Sequence, residues 1–163
     1  MIRRISSALM IAEDDIGEIL DEWSKVPGLI KAHVKARCPL HRYEGELSLG
    51  DNNLIFHGWD IEEGKEYQLA IGLDTITDIY LGFSEHLKGS IDPVFGVGGP
   101  VPFAVRYQDD GKNRAVYFNT GFNSYLAHRG TNSRHWYEAI QEAIIKHRQL
   151  KLTDRRSPSL VTA

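Results

Sequence analysis

The sequence predicts a mainly β domain with a C-terminal α-helix. Three observations carry this. Apolar residues recur at every second position through several short runs, clusters of turn-forming residues separate the runs, and one amphipathic helical stretch follows the last of them. About seven short strands, antiparallel where adjacent, fit an antiparallel barrel or an orthogonal sandwich. The late helix would plug its open face or mouth.

The elements follow in order. Ile2 to Ala12 faintly imitates a leader peptide, with two arginines ahead of a short, serine-broken apolar core. Glu13-Asp14-Asp15 follows at once, so a retained segment is the expectation. Residues 13–24 read as a short acidic helix with Ile16, Ile19, Leu20 and Trp23 on one face, ended by Pro27-Gly28. That face should pack onto the barrel or a second copy. Ile30, Ala32, Val34, Ala36 and Cys38 alternate with Lys31, His33, Lys35 and Arg37, which predicts a half-buried strand with a basic outer face. Tyr43, Gly45, Leu47 and Leu49 alternate again. Gly50-Asp51-Asn52-Asn53 turns the chain into Leu54–Trp59, making a hairpin. Further strands are expected at Tyr67–Leu73, Ile76–Phe83, Phe103–Tyr107 and Ala115–Asn119, with Asp109–Asn113 turning the last hairpin. The stretch 84–102 reads as a long loop. In the final helix Trp136, Ile140, Ala143, Ile144 and His147 form the apolar stripe, and Asn132 or Ser133 can cap it. The expected organisation is an N-terminal helical extension over 1–28, a barrel domain over 29–150 and a flexible tail over 151–163.

Composition narrows the function. The 163 residues include 42% hydrophobic and 25% charged side chains, ordinary for a globular domain. A net charge of −3 gives no electrostatic case for nucleic acid. The single Cys38 excludes an internal disulfide and a multi-cysteine zinc site. Seven histidines are scattered without metal-ligand spacing, so no metal or other cofactor is expected. Ser124 and Ser133, with nearby His128 and His135, lack a nucleophile-elbow context. The loop Phe95–Pro102 lacks the Lys and Ser/Thr of a phosphate-binding loop. No catalytic constellation emerges, and a non-enzymatic, cytoplasmic protein is the expectation.

Three segments resemble the pleckstrin-homology-like superfamily, its GRAM-type and bacterial branches most closely. Tyr43–Leu49 with its turn and Leu54-Ile55-Phe56 look like the family's opening hairpin. Leu69–Ile79 is similar to the step between two apolar strands, and Trp136-Tyr137-Glu138-Ala139-Ile140 to the closing helix. The resemblance covers roughly residues 29–148. It implies a barrel of two nearly orthogonal sheets capped by the helix, and an interaction module binding a protein or peptide. The alternative is a peripheral lipid- or membrane-surface-binding module. Phosphoinositide-binding members carry cations around the first hairpin loop, whereas Gly50–Asn53 is flanked by Glu44 and Glu46. A phosphoinositide site is therefore not expected there. Weak membrane contact, or another anionic partner, would fall to the face formed by Lys31, His33, Lys35 and Arg37.

Overall fold

The computed structural model describes residues 4–25, 40–87, 101–121 and 132–156. Among these, seven strands form one antiparallel sheet: β1 (Arg4–Ala12), β2 (Tyr43–Leu49), β3 (Asn53–Asp60), β4 (Lys65–Gly72), β5 (Ile76–Leu81), β6 (Phe103–Asp109) and β7 (Lys112–Thr120). A 3-10 turn (Glu13–Asp15) leads from β1 into helix α1 (Ile16–Ser24), and α2 (Ser133–Arg156) follows the sheet. The fold is mainly β with one long C-terminal helix and a short N-terminal one, as the alternation predicts.

Strand order is β4-β3-β2-β1-β7-β6-β5. Two meanders, β1–β4 and β5–β7, are therefore joined through the β1–β7 ladder. β4 and β5 are consecutive in the chain, joined by Leu73-Asp74-Thr75, yet occupy opposite ends of that order. The sheet thus curls into a half-barrel whose two edges meet at this corner. Part of the curl has a local cause. Gly45 lies opposite Gly58 in the β2–β3 ladder. A Cβ on Gly45 would stand 2.3 Å from the His57 carbonyl oxygen, and one on Gly58 2.1 Å from that of Glu44. Only a pair of glycines lets the two backbones close up this far. The β6–β7 hairpin closes through Asp110 (φ 50°) and Gly111 (φ 74°), both in the left-handed region that a two-residue hairpin turn of this hand requires.

The inner face of the sheet and α2 enclose the larger core. Trp136, Ile140, Ala143 and Ile144 are buried against it. The Trp136 ring, fully enclosed, lies nearly parallel to Phe103 with centroids 6.2 Å apart, and the Arg4 guanidinium sits 5.4 Å from its centroid. A smaller core lies on the outer face, where Ile16, Ile19 and Leu20 of α1 cover Ile11, Ala104 and Tyr117, with Leu40 alongside. The α1 face expected to pack on the barrel does so through these three residues. The side chain of Trp23 lies outside the described residues.

The hairpin expected from Tyr43–Leu49 and Leu54–Phe56 is present as β2–β3. Two expectations are corrected. Residues 4–12 are not part of a helical extension but form β1, in the middle of the sheet. Both faces of β1 are covered near Met10 and Ile11, so its sequence has no alternation to reveal it. Finally, 151–156 is not frayed tail but the end of α2. Leu, Lys and Arg favour helix, and Arg155 and Arg156 complement its C-terminal dipole. The strand expected over 30–38 and most of the 84–102 loop lie outside the described residues.

Candidate functional site

The corner between β4 and β5 leaves one sheet edge beside the terminal helix. There β5 and α2 flank a groove of about 290 Å³. Ile76 and Ile79 of β5 and Ile144 of α2 form its apolar floor, all nearly buried. Ile145 stands on its wall 56% exposed, and Asp78 and Arg148 supply charge at the rim. Gln141, Ile145 and Arg148 recur at i, i+4 and i+7, so they share one face of α2, and the exposed Leu152 prolongs that line. Farther along, Lys151 bonds Asp74 at 2.9 Å and ties the helix to the corner. That bond from Lys151 holds the Asp74 carboxyl below the usual carboxylate range.

The edge of β5 is blunted. Among the described residues it pairs only with β6, and the register shifts between Ile76 and Asp78, leaving Thr77 unpaired. The Ile79 amide donates to the Asp78 carboxylate at 2.9 Å. A bulge and an occupied amide discourage the addition of another strand. What the groove offers is side-chain contact: an isoleucine floor between polar walls that carry Thr77, Asp78, Gln141 and Arg148.

Two polar networks hold the surrounding frame. Arg42, little exposed, donates to Asp60 at 3.0 and 3.3 Å and to Asp15 at 3.2 Å, with Glu62 and Glu63 within 3.7 Å. Asp60 also accepts from the amides of Glu62 and Glu63, which shapes the β3–β4 turn. Burial alone would raise the Asp60 carboxyl, but the Arg42 hydrogen bonds and the two amides outweigh it and hold it below the usual range. Asp15 goes the other way, raised by burial more than Arg42 lowers it. Tyr43 donates to Asp15 and stacks on Tyr67 at 4.1 Å.

The second network lies on the outer face, beside α1. Glu13 accepts from Tyr117 at 3.2 Å and Ser84 at 3.4 Å, with His86 3.4 Å away. The Tyr80 hydroxyl lies 3.1 Å from that of Tyr117, whose pKa burial pushes up. Ser84 and His86 therefore meet through a carboxylate. A nucleophilic serine needs the imidazole between itself and the acid, so this order does not activate Ser84. The network fastens the end of β1 to the segment after β5.

Lys31, His33, Lys35 and Arg37, the anionic-partner face expected from the sequence, lie outside the described residues. The connection that contains them joins β1 to β2 and spans 13–42. Among the described residues no group of three or more His, Cys, Asp or Glu is arranged to hold a metal, and no helix is long and apolar enough to cross a membrane. The groove was not anticipated from the sequence. Its available signal was Ile145, an apolar residue off the buried stripe of α2. No protein-family model matches the chain, and no curated protein matches it.

Proposed function

We propose that this domain is a non-catalytic interaction module and that the β5–α2 groove receives a short peptide segment of a protein partner. The observation that carries the reading is the groove itself. It combines a nearly buried isoleucine floor, a half-exposed Ile145 and polar wall groups where the β5 edge lies beside α2. A concave site with an apolar floor and convergent polar groups on its walls is a common form of binding site. The occupant that fits is a segment whose apolar side chains meet the isoleucine floor, while Arg148 hydrogen-bonds a backbone carbonyl; the Gln141 amide already donates to Tyr137 at 2.8 Å. The blunted edge argues against strand addition, so side chains would supply the affinity. The resemblance to pleckstrin-homology-like domains points the same way.

The experiment is selection of peptides from a displayed library against the folded chain, followed by titration of the selected peptides. Ile145→Asp places a charge on the groove wall and should weaken binding about tenfold or more, as for loss of a central apolar contact. Failure to enrich any peptide, or affinities unchanged by Ile145→Asp, would contradict the reading. Co-sedimentation with anionic vesicles in the absence of peptide binding would favour a lipid-surface module instead.

A further inference from the structure

The outward side chains of β2, β3 and β4 stand in cross-strand rows. Glu44, Trp59 and Glu66 form one row, and Glu46, His57 and Gln68 the next. Trp59 is 51% exposed in the middle of its row, with exposed Ile61 just beyond. The neighbouring acids are open to solvent too, Glu44 at 55% and Glu66 at 69%. No Lys or Arg occupies an outward position in these rows, while Glu44, Glu46 and Glu66 all do. Histidines steady two of the carboxylates. His41 Nε2 lies 2.9 Å from Glu44 Oε1, and His57 Nε2 lies 2.5 Å from Glu66 Oε1.

We propose that Trp59, with Glu44 and Glu66 on either side, recognises an arginine side chain presented by a basic segment of a partner protein. The face of an indole attracts a cation through its quadrupole. A guanidinium is planar and weakly hydrated, so it can lie flat on the ring and still direct N–H groups to a carboxylate at its edge. The row supplies both parts, a flat aromatic surface and acids one strand away on each side. A lysine ammonium, compact and strongly hydrated, exploits this arrangement less well. The surface lies on β2–β4, apart from the β5–α2 groove, and the proposal does not depend on that groove.

The test uses the whole chain and a capped hexa-arginine peptide, with hexa-lysine as the comparison, at fixed salt. Saturable binding should shift the indole resonance of Trp59 in ¹H–¹⁵N spectra. Trp59→Ala should weaken it about fivefold or more. Glu44→Gln combined with Glu66→Gln should weaken it similarly, and this second variant keeps the aromatic surface should Trp59→Ala disturb the fold. Hexa-lysine should bind more weakly, and Ile145→Asp should leave hexa-arginine binding unchanged. The proposal is overturned if hexa-arginine does not saturate. It is equally overturned if Trp59→Ala retains full affinity, or if hexa-lysine binds as tightly, because diffuse attraction to acids would then suffice.

Discussion

β7 and β2 belong to one sheet but meet different surroundings. Six consecutive residues of β7, Ala115 to Thr120, are buried, because α2 lies on the inner side and α1 with its neighbours on the outer side. In β2 burial follows the pleat: Tyr43, Leu47 and Leu49 are buried, while Glu44 and Glu46 are exposed. The same contrast separates the β1–β7–β6 half from the β2–β3–β4 half. Where both faces are covered the strand serves the core alone. Where one face is bare, residues such as Trp59 become available to partners.

The comparison can be broken by mutation. Trp136→Ala removes the largest enclosed side chain and should cost about 3–5 kcal/mol in denaturant unfolding. A loss under about 1 kcal/mol would mean that α2 does not seal the inner core. The sharper contrast pairs two outward isoleucines. Ile11→Ala, on the doubly covered half, should cost about 2–4 kcal/mol, because Ile11 is fully enclosed beneath α1. Ile55→Ala, outward on the bare half, should cost about 1 kcal/mol or less. Equal losses would remove the distinction between the halves.

Acid titration probes the link between α1 and the β3–β4 turn. The folded-state carboxyl of Asp60 is held below its unfolded value, so it stabilises the fold above the unfolded pKa. That contribution is lost as pH falls through the depressed folded value, in the window below about pH 4. Asp15, raised by burial, has the opposite sign: its contribution is present at low pH and lost as pH rises through its raised folded value. Asp60→Asn should therefore flatten the acid limb of the stability curve, measured as denaturation midpoint against pH. An unchanged acid limb would show that Asp60 is not the responsible carboxylate. The smallest effect belongs to Lys151→Ala, about 0.5 kcal/mol or less, because its pair with Asp74 is half exposed on both sides.

Legibility in the sequence follows this division only in part. Tyr43–Leu49 was readable because its solvated face left a period of two, whereas Phe103–Tyr107 and Ala115–Asn119, on the covered half, were readable with the turn residues Asp109–Asn113 between them. The buried stripe of α2 was readable because its other faces are polar. β1 was not, since Ala8-Leu9-Met10-Ile11-Ala12 is apolar on both sides and borders Arg3-Arg4 in a pattern that imitates a leader. The groove was invisible for another reason. Ile76, Ile79 and Ile144 look like any core residues until the β4–β5 corner leaves β5 beside α2. Likewise Arg42, Asp15 and Asp60 are far apart in the chain, and only the fold brings them together.

Chemical-shift mapping of a selected peptide on the isotopically labelled chain tests the central functional claim most directly. The account predicts that perturbed amides cluster at Ile76–Ile79 and Gln141–Arg148, with the outer faces of β2, β3 and β4 unmoved. Perturbations confined to those outer faces, or spread over the connection between β1 and β2 with the groove silent, would contradict it.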